Sequence, residues 1–387
     1  MTLDSTFQIA SCTKLMTTIC ALQCVERGLF TLDSSEDLAR LLPELASPKI
    51  IVGKDDKDEI IVKPASQKIT MRKLLTHTSG HTYPLFSPIL TTWCVNNGIP
   101  VDITSSGKLV HKFGFPLLFE PGEKWQYGVG LDWVGKMIER ANNGMRLETY
   151  MRENIWGPLG MENTTFDLDN HEHVVRHLVE PATRDSNTDM WTPEERPRAG
   201  PIEDCYGGGG LYSTATDYLK ILASLLRSDE KLLRSQTVEE MFRPQLSREN
   251  IDAWLEWSHS SGVIRAMTGT DNQKKDIDWG LGGMLFTEDD SDAGVKKGTL
   301  AWGGYRTLYW VSYFDYIVLV YLHEITKRVH NSGSIVREVS VDCTPAKYCH
   351  LETQSQWRCT KSSGRRFTKR KIAVTIEYCN MLKSDLI

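Results

Sequence analysis

The feature that most constrains the fold is a change of texture near Asp278. Before it, apolar residues recur at helical spacing: Leu15, Ile19, Leu22 and Val25 mark a helix over residues 11–28, and similar patterns cover residues 131–140, 147–155 and 215–226. Shorter helical turns are expected over residues 32–45 and 70–75, with a charged loop at residues 54–59 between them. After Asp278, short β-type runs broken by glycines occupy residues 279–287, 298–302, 307–314 and 316–323. A helical middle followed by strands that alternate or run apolar predicts an α+β chain, with an antiparallel sheet flanked by helices.

With 387 residues, 40% of them hydrophobic and 25% charged, the chain can bury a large core in one or two domains. A net charge of -5 gives no general drive towards nucleic acid or an anionic membrane, so small-molecule chemistry is expected. Residues 1–10 lack the pattern of a leader, and no run approaches the roughly 20 apolar residues of a membrane span. A soluble, cytoplasmic protein is therefore expected. Nine cysteines without paired spacing read as thiols rather than as a disulfide framework. His171, Glu172, His173 and His177 form the nearest approach to a metal pattern, but without a clear fourth ligand they read as a solvated loop and helix start. Residues 324–387 carry 12 Lys and Arg against six Asp and Glu, including the basic stretch from Arg365 to Lys371. They are set apart as a solvated tail of unknown structure behind a domain at residues 1–323.

Ser11-Cys12-Thr13-Lys14 is an S-x-x-K motif. Residues i and i+3 share a helix face, which brings the lysine amine within reach of the serine hydroxyl. A neutral lysine can take the serine proton if burial or a second cation depresses its pKa, and the helix N-terminus favours charge growing on the serine oxygen. A chain of this length holds about one or two such motifs by chance. Ser105-Ser106-Gly107-Lys108 and Ser228-Asp229-Glu230-Lys231 also match, but the first lies in a Gly- and Ser-rich loop and the second follows a helix end. Only Ser11 opens a long helix behind an apolar lead. The run Gly207 to Gly210 lacks the Gly-Lys-Ser/Thr of a phosphate loop and reads as a turn before a helix. No G-x-S-x-G elbow occurs, which argues against an α/β-hydrolase.

Phe7-Gln8-Ile9-Ala10-Ser11-Cys12-Thr13-Lys14, followed by Gln23-Cys24-Val25-Glu26-Arg27-Gly28, resembles the active-site helix of the β-lactamase-related serine esterases and transesterases. That family includes class C β-lactamases, penicillin-binding-protein-like enzymes and fungal lovastatin-type acyltransferases. Leu74-Leu75-Thr76-His77-Thr78-Ser79-Gly80, Trp156-Gly157-Pro158-Leu159-Gly160-Met161 and Gly207-Gly208-Gly209-Gly210-Leu211-Tyr212-Ser213-Thr214 are similar to its recurring segments, in the same order. Tyr127 in Trp125-Gln126-Tyr127-Gly128-Val129 is similar to the family's Tyr-x-Asn or Tyr-x-Ser element, with Val129 in place of the polar residue. Trp302-Gly303-Gly304 resembles its glycine strand. The similarity runs over residues 7–321.

The resemblance implies a β-lactamase/transpeptidase-like fold with a mostly helical region over the cleft. It makes Ser11 the nucleophile, Lys14 and Tyr127 the proton relay, and the amides of Ser11 and Tyr305 the oxyanion hole. Trp302, Gly303 and Gly304 would line the acyl pocket, while His77 would be structural. Trp302 in place of a cation, with Val129, suits an apolar acyl group and acceptor. The implied activity is transfer of a small acyl group from a thioester or ester, free or on a carrier protein, to a hydroxyl of a secondary metabolite such as a polyketide, with no cofactor, metal or nucleic acid. Ester hydrolysis is the first alternative. The second is an inactive or truncated relative, since ten residues precede Ser11 where the family has a helix and two strands, and residues 324–387 do not resemble its final strand and helix.

Overall fold

A computed structural model describes residues 2–102, 107–179, 202–268, 276–304 and 307–312, with strand segments 182–184, 191–193, 317–322, 325–327 and 372–377. The strand-rich part is a six-stranded antiparallel sheet. In chain order its strands are β3 (Ile277–Trp279), β4 (Met284–Phe286), β5 (Thr299–Gly303), β6 (Thr307–Ser312), β7 (Ile317–Leu322) and β8 (Ile372–Glu377), and they lie side by side in that order. Strand β8 comes from the segment that the sequence set apart as a tail. The basic stretch Arg365 to Lys371 and the four cysteines beyond Cys205 lie outside the described residues. Before the sheet, β1 (Thr6–Gln8) pairs with β2 (Tyr212–Thr214), tying the lead into Ser11 to the segment after the glycine run.

Helix α1 (Thr13–Glu26) follows a single 3-10 turn at Ala10–Cys12. The sequence suggests one wet face, yet every residue from Thr13 to Cys24 is buried. Its polar side chains are hydrogen-bonded inside the core, which makes an all-round buried helix tolerable. Thr17 Oγ1 donates to the Gly207 carbonyl at 2.7 Å, Thr18 Oγ1 to the Lys14 carbonyl at 2.9 Å, and Gln23 Nε2 to the Leu232 carbonyl at 3.0 Å. Helix α2 (Gly130–Ala141) packs on α1, α3 (Ala215–Arg227) packs on β7, and α4 (Arg248–Ser260) lies against β3. Thr214 caps α3, accepting the Asp217 amide, and Tyr218 on α3 reaches across to donate to the Cys12 carbonyl at 2.8 Å. Residues 54–59 are the tip of a hairpin between Lys49–Lys54 and Ile60–Pro64 that the charged loop does not disclose.

No helix among the described residues is long and apolar enough to cross a membrane. The five described cysteines, Cys12, Cys20, Cys24, Cys94 and Cys205, are all free and buried.

Candidate active site

Ser11 occupies the 3-10 turn, one residue after Ala10, whose φ of +42° is unusual for a residue with a Cβ. Thr13 Oγ1 stabilises that turn by donating to the Ala10 carbonyl at 2.6 Å and accepting the Leu211 amide at 3.2 Å. One helical turn on, Lys14 Nζ donates to Ser11 Oγ at 3.1 Å. From the turn preceding α2, the Tyr127 hydroxyl donates to the same Ser11 oxygen at 2.7 Å. Strand β5 brings Trp302, whose indole Nε1–H donates to the Tyr127 oxygen at 3.2 Å. Ser11, Lys14, Tyr127 and Trp302, distant in sequence, thus form one hydrogen-bonded group. Gly303 and Gly304 follow at the end of β5, half-buried, while Tyr305 and Ser105 lie outside the described residues. Ser228, the other motif serine, is the left-handed cap at the end of α3.

The expectation of a neutral lysine needs correcting. Burial does act to lower the Lys14 pKa, but the negative charge available on Tyr127, Tyr83 and Asp132 outweighs it and holds the group above its ordinary value. The geometry agrees with an ammonium. Besides Ser11, Lys14 Nζ donates to the Tyr83 hydroxyl at 3.1 Å and to the Gly208 carbonyl at 2.6 Å, which occupies all three N–H bonds and leaves no lone pair facing Ser11. Lys14 is therefore built as a charged donor.

Tyr83 was not singled out in the sequence, although it lies three residues after the Leu74–Gly80 segment. Burial raises the pKa of its phenol, against the opposing pull of Lys14. The Gly207–Gly210 run is a turn leading into β2 and α3, as its lack of a lysine implies, but it also supplies the carbonyl that anchors Lys14. His77 is fully buried, at φ +60°, and burial first and the Lys14 charge second push its pKa well down. A neutral ring packed 4.7 Å from Tyr127 fits the structural role expected of it. Val129 is completely buried in the hydrophobic core, so the apolar residue there serves packing.

Behind Tyr127 stands a wall of indoles. Trp302 and Trp257 have ring centroids 5.2 and 5.6 Å from the Tyr127 ring, and Trp125, Trp254 and Trp279 fill in behind. Trp254 and Trp257 sit at i and i+3 on one face of α4, a helix that sequence reading did not recognise. Its polar residues, with His259 in the last turn, dilute the apolar periodicity. Among the described residues no group of three or more His, Cys, Asp or Glu is arranged to hold a metal ion.

Comparison with known proteins agrees with this geometry. The β-lactamase family model matches residues 1–334. The chain is 36% identical over 319 residues to the lovastatin esterase of Penicillium rubens, covering 80% of this chain and 76% of that protein. It is 36% identical over 323 residues to the monacolin J acid methylbutanoyltransferase of Aspergillus terreus, covering 79% and 73%. The structure of the LovD6 mutant of simvastatin synthase from Aspergillus terreus superposes with a TM-score of 0.75 at 33% identity, covering 84% of this chain and 77% of that one. A family match over most of the chain, and relatives at this identity on a shared fold, establish that the protein belongs to the β-lactamase family, as one of its serine acyltransferases or ester hydrolases.

Proposed function

We propose that the protein is a transesterase that carries a small acyl group on Ser11 and passes it to a hydroxyl of a polyketide-like secondary metabolite. The observation that carries this reading is the contact of Tyr127 OH and Lys14 Nζ with one serine oxygen, at 2.7 and 3.1 Å. In the first step Ser11 Oγ attacks the acyl carbonyl carbon as its proton passes to the Tyr127 oxygen, once that hydroxyl has released its own proton. The Lys14 ammonium, 4.8 Å from the Tyr127 ring centroid, and the Trp302 N–H are the cation and the donor that face that oxygen. When the tetrahedral intermediate collapses, the carbon–sulfur bond breaks and Tyr127 returns the proton to the departing thiolate. The acceptor alcohol then repeats the sequence: its proton goes to Tyr127, its oxygen attacks the ester carbonyl, and Ser11 leaves with the proton. The amides of Ser11 and Tyr305 are the proposed oxyanion donors, and Trp302, Gly303 and Gly304 the acyl-side lining.

The named relatives include both an acyltransferase and an esterase, so donor and acceptor classes are proposed by analogy with them. A thioester donor, free or on a carrier protein, fits the same step. A cytoplasmic setting is supported by the five free buried thiols. Trp257, the partly exposed indole beside Tyr127, favours transfer over hydrolysis, because an apolar surface positions water poorly and a flat alcohol well. Incubating the enzyme with a short acyl thioester and increasing amounts of a polycyclic alcohol is expected to give thiol release that accelerates with alcohol, and ester that exceeds free acid. Free acid dominating at every alcohol concentration would replace this reading with that of an esterase.

A further inference from the structure

A buried carboxylate that the mechanism does not use lies one residue away from its lysine. Asp132, in the first turn of α2, is only 2% exposed. Its Oδ1 accepts the Gly208 amide at 2.8 Å, and the carbonyl of that same Gly208 accepts Lys14 Nζ at 2.6 Å. Its Oδ2 is buried without a hydrogen-bond partner among the described residues. Residue 208 must be glycine for this arrangement, since a Cβ there would lie 2.4 Å from Asp132 Oδ2. Thr17 Oγ1, holding the Gly207 carbonyl, fixes the other side of the same turn to α1.

We infer that Asp132 is a positioning residue for the acyl-transfer site, holding Gly208 so that its carbonyl fixes Lys14, and placing a buried carboxylate on the other side of Gly208 from that lysine. The inference rests on the proposed Ser11 chemistry. A helix-start acid with no further role would sit at the surface. Asp132 instead faces inward. The charged and titratable groups around it are Lys14 on α1, Lys112 on the helix Leu109–Phe113, and Tyr83 and Tyr206 on loops. Burial raises the Asp132 pKa to about 6, against the opposing pull of Lys14, the Gly208 amide and Lys112. The carboxylate is thus lost as the pH falls through about 6, and with it the charge that faces Lys14.

The sign for stability is opposite to that for activity. A carboxyl with a raised pKa binds its proton more tightly in the folded than in the unfolded chain, so its contribution to stability falls as pH rises from about 4 to about 6 and is constant above. Asp132→Asn removes that decline. The variant is expected to unfold a few degrees higher than wild type at pH 7.5 while turning over more slowly, a pairing that a purely structural residue would not produce.

The test is the pH profile of thiol release from a short acyl thioester, with fluorophosphonate labelling of Ser11 measured on the same samples. Wild type should show an acid limb near pH 6. Asp132→Asn should show a plateau lower by about 10²-fold, the scale of a misplaced catalytic group, with no limb there. A variant within twofold of wild type, or a slower one whose limb stays near pH 6, overturns the inference. If the variant does not fold, carbon-13 carboxyl titration of aspartate-labelled wild type decides. One aspartate titrating in step with the acid limb supports the assignment, and none titrating above about pH 5 refutes it. Absence of Ser11 labelling in wild type would mean that the acyl-transfer reading itself has failed, a result distinct from any of these.

Discussion

Ser11→Ala should abolish turnover, with a loss of about 10⁵-fold or more in the rate of acyl transfer, while leaving the folded state intact. The side chain is half-exposed at the head of a helix whose stability comes from Leu15, Met16 and Ile19, each fully buried, so removing one hydroxyl should not loosen the core. Circular dichroism and thermal unfolding should overlay those of wild type, and a fluorophosphonate probe that labels wild type should leave the variant unlabelled. Equal labelling of the variant would place the reactive nucleophile elsewhere. Unchanged turnover would remove Ser11 from the chemistry altogether.

Lys14→Ala and Tyr127→Phe are each expected to slow transfer by about 10³-fold, and the double variant to be little slower than the worse single one. Non-additivity follows from the geometry. Both groups act on the same oxygen of Ser11, and Lys14 also holds charge on Tyr127, so losing either disables the same proton transfer. The two substitutions should differ in stability. Tyr127→Phe keeps the ring in contact with His77, Trp257 and Trp302 and should cost little. Lys14→Ala leaves the Gly208 carbonyl and the Tyr83 hydroxyl without their donor in a buried site, a cost of about 1–3 kcal/mol for each unsatisfied group. Rate losses that multiply independently in the double variant would contradict a shared relay.

How much of this was legible in the chain follows from the range over which each signal acts. The S-x-x-K spacing is local, so Ser11 and Lys14 could be placed on one face before any fold was known. The strand runs from residue 298 onward and the helices at Gly130–Ala141 and Ala215–Arg227 carry strong periodicity, and their bounds agree to within a residue or two, whereas the run expected over residues 279–287 is two strands, β3 and β4, joined by a glycine turn. Tyr127 and Trp302 depended on ordered motifs that resemble a family, because no local pattern says that residues 116 and 291 positions beyond Ser11 will meet it. The charge on Lys14 could not be read at all. It depends on Tyr83, Asp132 and the Gly208 carbonyl, brought together only by the packing of α1 against α2 and the glycine turn. Burial and a second cation, the factors that the sequence suggested, would both act in the opposite direction to the net shift. Helix α4 escaped notice for a related reason. Trp254 and Trp257 face an aromatic cluster assembled from four separate segments, and nothing within α4 itself announces that surface.

The central claim is that Ser11 holds the acyl group between donor and acceptor. Intact-mass spectrometry of the full-length protein quenched in acid shortly after mixing with a short acyl thioester, without acceptor, tests it most directly. A single added acyl mass on most molecules is predicted, mapped by peptide fragmentation to Ser11 and discharged when a polycyclic alcohol is added before the quench. Turnover with no adduct under any quench time, or an adduct on another residue that the alcohol discharges at the catalytic rate, would contradict it.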